Sequence, residues 1–217
     1  MNEESLLGPR GRAKDDRSDD RLFYRQPRLV AHIDDAARAT VTELYRTFLA
    51  PIAPHGAVLD MMSSRYSHLP DDLALDNVTG MGMNADELAA NPQLARWSVH
   101  DLNADPHMPY DDATFAVVLN TVSVQYLEQP IAVFREVARL LQPGGTSVVA
   151  FSNRMFATKA IRAWRERDDE GHIALVTSYF ELAGGFAQST VFRRAGTQGN
   201  WLTPGNDPLY AVSAQKR

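Results

Sequence analysis

Apolar positions along the chain keep two rhythms that alternate. Ala37, Val41, Leu44, Tyr45 and Phe48 recur at helical spacing, with Asp34 or Asp35 where an N-cap belongs and Pro51 where the run must stop. AVLDMM (57–62) then reads as a strand, and the segment 73–82 holds a second strand centred on Val78. Asn84 caps a short helix, Glu87 stands three residues on as its capping-box partner, and Asn91-Pro92 stops it. RWSVHDL (96–102) and TFAVVLN (114–120) are the third and fourth strands. Pro130 takes the first position of a helix whose Ile131, Phe134, Val137, Ala138 and Leu141 face one way, and Pro143-Gly144-Gly145 ends it.

TSVVAFS (146–152) is a fifth strand, followed by helical patterns over about 157–167 and 170–183 that stop at Gly184-Gly185. QSTVFRR (188–194) and LYAVSAQ (209–215) are the last two strands, joined by a Gly/Pro/Asn-rich loop, 196–208. Strand–helix alternation predicts an α/β fold: a doubly wound, mostly parallel seven-stranded sheet covered on both faces. The two final strands, with no helix between them, predict an antiparallel C-terminal edge pair. Residues 1–21 (MNEESLLGPRGRAKDDRSDDR) are charged and poor in large apolar groups, which predicts a mobile leader. The segment 22–54 reads as a cap and helix, and 55–217 as the main domain.

Composition narrows the chemistry. With 44% apolar residues, the 217-residue chain can bury a sizeable core. The net charge is −5 and the basic residues are scattered, so no nucleic-acid footprint is read. Cysteine is absent, which excludes disulfides, thiolate–zinc sites and a cysteine nucleophile; no metal site is read. No apolar run approaches the roughly 18 residues of a membrane span, and there is no signal-peptide h-region. The expectation is a cytoplasmic protein, monomer or homodimer, with no membrane partner.

VLD (58–60) opens like a nucleotide-binding strand that ends in an acid. Three further pieces are HDLNADPHMPYDDATFAVVLNTVSVQYL (100–127), VFREVARLLQPGGTSVVAFS (133–152) and the antiparallel tail. Together, over about residues 55–215, these pieces resemble the class I S-adenosylmethionine-dependent methyltransferases, a Rossmann-like family. More narrowly, SSRYSHLP (63–70) resembles the loop of a type-11-like subgroup. The resemblance implies S-adenosyl-L-methionine as cofactor. Aligned on Val58-Leu59-Asp60, the family's glycine positions hold Met62, Ser64 and Tyr66. Side chains there would obstruct the diphosphate of NAD or FAD, which needs bare backbone amides, but not a phosphate-free ligand.

Carried over residue by residue, the resemblance implies cofactor contacts from Asp60, Met61, Ser63 and Ser64, with Arg65 meeting the ligand's carboxylate. The family's ribose-binding acid at the end of strand two falls on Gly82, a departure from pattern that leaves Asn84, Asp86 or a water to substitute, beside Met83. Asp101 would accept a hydrogen bond from the adenine amino group, Leu102 would pack on the ring, and Asn120 and Thr121 would lie near the methyl group. FYRQPRLVAHID (23–34) lies where such enzymes cap the acceptor, so Tyr24, Arg28 and His32 would line the substrate side with Gln125, Tyr126 and Asn153. His68 and His32 are the base candidates, because an unperturbed imidazole titrates near neutrality.

Each residue has a plainer reading beside that one. Asp60 could cap its strand end and Asp101 a turn. Met61 and Met62 could fill core, Arg65 could be surface, and His68 could bond its own loop. His32 could start the helix, His100 could face polar surroundings, and RERDDE (165–170) is solvated surface. The reading adopted is methyl transfer to a small-molecule acceptor. The alternatives are a non-catalytic relative that binds the cofactor or acts as an interaction module, a nucleotide-dependent reductase, which the missing glycines disfavour, and a nucleic-acid methyltransferase, which charge disfavours.

Overall fold

The computed structural model describes residues 2–199 and 205–217; the part of the loop 196–208 that covers 200–204 lies outside the described residues. Seven strands form one sheet: β1 (Val58–Met61), β2 (Val78–Gly82), β3 (Arg96–Val99), β4 (Phe115–Thr121), β5 (Leu141–Phe151), β6 (Thr190–Arg194) and β7 (Leu209–Gln215). Their order is β3-β2-β1-β4-β5-β7-β6. The first five are parallel, and β7 runs antiparallel to both β5 and β6. The chain leaves β1 in one direction to β2 and returns on its other side at β4, which makes the C-terminal ends of β1 and β4 a topological switch point.

The helices are α1 (Glu3–Leu7), α2 (Asp20–Phe23), α3 (Asp35–Leu49), α4 (Ala85–Ala89), α5 (Pro130–Leu140), α6 (Arg162–Arg165) and α7 (Asp169–Ala183). Strand side chains alternate between faces, and the core divides accordingly. Val58, Val78, Val117 and Leu119 pack with Ala37, Val41, Tyr45 and Leu49 of α3. Leu59, Met61, Met81 and Val118 pack on the opposite side with α5 and α7. Asp34 is the N-cap of α3 and accepts the Ala37 N–H at 2.8 Å. No helix among the described residues is long and apolar enough to cross a membrane.

Three expectations change. Pro143-Gly144-Gly145 does not end a helix: α5 stops at Leu140 and β5 begins at once, the glycines pairing with the tail through Gly144 N–H to Lys216 O (3.2 Å) and Gln215 Nε2 to Gly144 O (2.8 Å). The pattern at 157–167 shrinks to α6, because Thr158 and Lys159 bind the N-terminal segment instead. The third concerns that segment, where composition suggested a mobile leader. Leu7 is buried in the core, Arg162 and Ala163 donate backbone N–H groups to Ala13 O and Gly11 O, and Asp16 donates to Thr158 O. Lys159, 0% exposed, pairs with Asp16 (3.1 Å) and Asp20 (3.0 Å), while Lys14 pairs with Asp20 (2.6 Å) and Glu128 (2.8 Å). Lys14 and Asp20 of the leader are largely buried in these pairs, while Glu4, Arg10, Arg12, Asp15, Arg17 and Asp19 stay exposed.

Candidate functional site

A cavity opens over the C-terminal ends of β1, β2 and β4, beyond the end of β3, and the segment from Asp20 to His32 forms part of its wall. Asp60 ends β1 with 2% exposure; its Oδ2 accepts the hydroxyls of Ser63 (2.5 Å) and Ser67 (2.6 Å). Burial pushes its carboxyl up to about 6 against those two hydrogen bonds.

The loop after Asp60 shows how it does without glycine. Met62 itself adopts the left-handed backbone (φ 59°) that glycine would supply cheaply. Ser63 N–H then donates to Met81 O at 2.7 Å, so the loop crosses directly over the end of β2. A Cβ on Gly82 would stand 2.1 Å from Ser63 O. The close approach that needs a glycine is thus made across from the loop, at Gly82, and no acid can occupy that position. His68 (φ 57°) and Val122 (φ 44°) also line the cavity with positive φ, so three of the four non-glycine residues held this way among the described residues belong to its wall.

Past Gly82, Met83 and Asn84 line the cavity. The Asn84 amide is fully engaged: Oδ1 caps α4 by accepting from Asp86 and Glu87 N–H, and Nδ2 donates to Tyr24 O (2.8 Å) and Arg25 O (3.2 Å). Asp86 is exposed and outside the cavity. Glu87 is not a capping-box partner. Its Oε1 accepts the Arg28 backbone N–H (2.6 Å) and its Oε2 the Ser64 hydroxyl (2.5 Å). It lines the cavity although the sequence reading gave it no site role.

Asp101 and Leu102 follow β3 into the wall, Leu102 buried. Asp101 Oδ1 caps a turn by accepting from Asn103 N–H (2.9 Å) and Ala104 N–H (3.3 Å), so the plainer reading of this acid holds alongside its place in the cavity. His100 bonds Asp105 O through Nε2. Thr121 ends β4 with Oγ1 at 2.6 Å from Tyr45 Oη, and it lines the cavity.

Besides Asp86, five residues from the sequence reading lie outside the wall. Met61 points into the core, and Asn120 is buried with its amide on Met61 O. Arg65 turns away, its guanidinium over the Tyr66 ring at 5.1 Å. Gln125 is buried and donates to Val122 O (2.8 Å), and Asn153 is exposed. Met155 and Phe156, just past β5, line the cavity instead. An aromatic close behind a strand's C-terminal end was the available signal for Phe156.

Tyr24, Arg28, His32 and Tyr126 do line it. Phe156 is their hub, with ring centroids 5.4 Å from His32 and 6.0 Å from Tyr126, whose Oη accepts the Phe156 N–H at 2.8 Å. The histidines depart from the expectation of ordinary imidazoles. Burial, with Arg38 and His32 adding to it, pushes His68 down to about 4. Burial also lowers His32; Arg28 reinforces this and Glu87 opposes it. Both rings are better held neutral at pH 7 than free imidazole is.

The donor set discriminates among ligands. Asp60, Glu87 and Asp101 present carboxyl groups toward a loop filled by Met62, Ser64 and Tyr66. A diphosphate would meet crowding and negative charge there. A phosphate-free zwitterionic sulfonium meets no such conflict there.

Residues 56–149 match the family described as a methyltransferase domain. Over 104 residues the chain is 30% identical to the biotin biosynthesis bifunctional protein BioHC of Teredinibacter turnerae, a stretch that is 46% of this chain and only 18% of that protein. Among solved structures, an S-adenosylmethionine-dependent methyltransferase from Mesorhizobium loti superposes with a TM-score of 0.55 at 16% identity, covering 84% of this chain and 99% of that one. The PH0226 protein of Pyrococcus horikoshii gives 0.55 at 18%, covering 90% and 99%. The [4+2]-cyclase SpnF gives 0.59 at 14%, covering 88% and 85%. At these identities the structural likeness is one of fold.

Proposed function

Residues 56–149 match the methyltransferase-domain family, on the fold of class I S-adenosylmethionine-dependent enzymes, and from that premise we propose that the protein transfers a methyl group to a small-molecule acceptor. The observation that carries the reading is the cavity at the switch point, whose carboxyl groups and crowded loop suit a sulfonium and disfavour a diphosphate. S-adenosylmethionine supplies a methyl group already activated on sulfur, so the chain's work is chiefly positional. In this reading Asp60, Ser63 and Ser64 shape the amino-acid end, and Gly82, Met83 and Glu87 face the ribose. Asp101 and Leu102 take the adenine, and Thr121 stands near the methyl group.

Tyr24, Arg28, His32 and Tyr126 face the acceptor, and the N-terminal segment that carries the first three narrows access to the cavity. That coverage favours a small acceptor over a macromolecular one. His68 and His32 remain the base candidates. Held neutral, either ring can take a proton, but a pKa pushed down to about 4 makes His68 a weak acceptor of one. The reading therefore favours a nucleophile that needs little deprotonation.

A second reading, cofactor binding without methyl transfer, draws on the likeness to a [4+2]-cyclase, since that fold hosts other chemistry. The test is calorimetric titration with S-adenosylhomocysteine and with NAD, followed by incubation with methyl-labelled cofactor and a panel of small nucleophiles. Binding of S-adenosylhomocysteine with label transfer supports the proposal. Binding without transfer to any nucleophile supports the second reading, and tighter binding of NAD overturns both.

A further inference from the structure

We propose that Arg28 is the carboxylate-recognition point of this cavity, holding a carboxylate of the bound ligands in the role that the family resemblance implied for Arg65; the inference rests on the cofactor reading above. Two arginines line the cavity, Arg28 and Arg154. Arg154 Nε is already held by Asp207 at 2.8 Å. Arg65, beside the loop, lies outside.

The Arg28 guanidinium has no counter-ion: among the described residues no carboxylate lies within ion-pair distance of it. Its Nη2 donates to Phe23 O at 3.0 Å, while Nη1 is buried without a hydrogen-bond partner. The nearby acids are engaged elsewhere. Asp20 is held by Lys14 and Lys159, Asp60 by two serine hydroxyls, and Glu87 by Ser64 and by the backbone of Arg28, not its side chain. A half-buried guanidinium with a buried, unused N–H group is costly unless something supplies an acceptor, best an anion.

The side chain is nonetheless fixed in place. Its guanidinium carbon stands 4.4 Å from the Phe23 ring centroid, 5.2 Å from Phe156 and 5.7 Å from Tyr24, so three aromatic faces hold it while Glu87 pins its backbone. A planar fork held this way suits a planar carboxylate better than any other common anion. Two sources can supply that group: the amino-acid end of the cofactor, and the acceptor.

The test uses the full chain, with Arg28→Gln as the main variant, Arg28→Lys as a second, and circular dichroism to check folding. For the cofactor source, S-adenosylhomocysteine and its decarboxylated analogue are titrated against each protein. Loss of the ligand carboxylate should weaken binding to the unaltered protein about tenfold and binding to Arg28→Gln by less than about threefold, with Arg28→Lys between. For the acceptor source, benzoate and benzamide are compared by saturation-transfer NMR on the protein loaded with S-adenosylhomocysteine. Benzoate should give a signal that Arg28→Gln abolishes, and benzamide none. Either coupling supports the proposal and names the source. Equal losses in both proteins, together with no Arg28-dependent benzoate signal, overturn it. Failure of the unaltered protein to bind S-adenosylhomocysteine at all would instead remove the cofactor reading on which it rests.

Discussion

Glu87 accepts the backbone N–H of Arg28 at 2.6 Å, and its other oxygen takes the Ser64 hydroxyl at 2.5 Å. One buried carboxylate therefore ties the N-terminal segment to the loop after β1, both of which line the cavity. Glu87→Ala removes both oxygens and leaves the Arg28 N–H and the Ser64 hydroxyl without their acceptor. It should cost about 1–3 kcal/mol in urea unfolding and weaken S-adenosylhomocysteine binding as well. Unchanged cofactor affinity in a less stable protein would uncouple the segment from the loop.

Asp20 is the second tie. Burial raises its pKa, and hydrogen bonds from Lys14 and Lys159 outweigh that and leave it lowered. It also accepts the Asn103 amide at 3.1 Å, next to the Asp101 turn. Removing it leaves Lys14 with Glu128 alone and Lys159 with Asp16 alone; an uncompensated buried charge costs about 3–5 kcal/mol, and the remaining carboxylates cut that to about 1–3 kcal/mol. Asp20→Ala should therefore lose stability on that scale by chemical denaturation. A change under 1 kcal/mol would mean the leader's charges are hydrated after all.

Gly82→Ala should be costly for a local reason. Its new Cβ would stand 2.1 Å from Ser63 O, so the loop after Asp60 must lift off β2. A cost of about 1–3 kcal/mol is expected from such overpacking, with cofactor affinity falling further than at a neutral surface site. Gly82→Asp, which restores an acid in the family's ribose position, should bind no better. Improved binding in that variant would refute the account of why this strand ends in glycine.

These three sites differ in how much of them the sequence reveals. β1 to β5 and α3 are legible because burial imposes a period on consecutive residues, and Val58, Val78 and Val41 answer to it directly. The docking of the leader is not. Its composition reads as solvated, and only the fold brings Lys159 to Asp16 and Asp20. The place of Glu87 is hidden for the opposite reason: three residues after Asn84, a local rule already accounts for it. The glycine at 82 looks like a missing acid until Ser63 is laid across it. Acids at strand ends, Asp60 and Asp101, were legible because topology fixes where strand ends go.

Two buried groups give the protein opposing pH dependences. Asp60, at about 6 when folded against 3.8 unfolded, holds a proton that the unfolded chain releases, so its stabilisation is present at low pH and lost as pH rises through 6. His68, at about 4 against 6.5, refuses a proton that the unfolded chain accepts, so stability falls as pH drops through 6.5 toward 4. Between about 4 and 6 the two offset each other. His68→Asn, which tolerates the positive φ, should leave Asp60 unopposed there. Relative to the unaltered protein, its melting temperature should rise from pH 7 to pH 5, by an amount equivalent to about 1 kcal/mol or more. Parallel pH profiles for the two proteins would show that His68 titrates like an exposed imidazole.

Asp101 has two oxygens, and substitutions can separate them. Oδ1 caps the turn through Asn103 and Ala104 N–H, and no protein hydrogen bond is made to Oδ2 among the described residues. Asp101→Ala removes the cap and any ligand contact together, so it should lower both the melting temperature and cofactor affinity. Asp101→Asn can keep the cap on its amide oxygen and place an NH2 group where the second oxygen was. If that oxygen accepts a hydrogen bond from the adenine amino group, donor will face donor, and S-adenosylhomocysteine should bind about 1–3 kcal/mol more weakly while the ligand-free melting temperature holds. Titration calorimetry of both variants decides it. Full affinity in Asp101→Asn beside a loss in Asp101→Ala would reduce this acid to a turn cap, leaving Leu102 and the β3 end to select adenine without it.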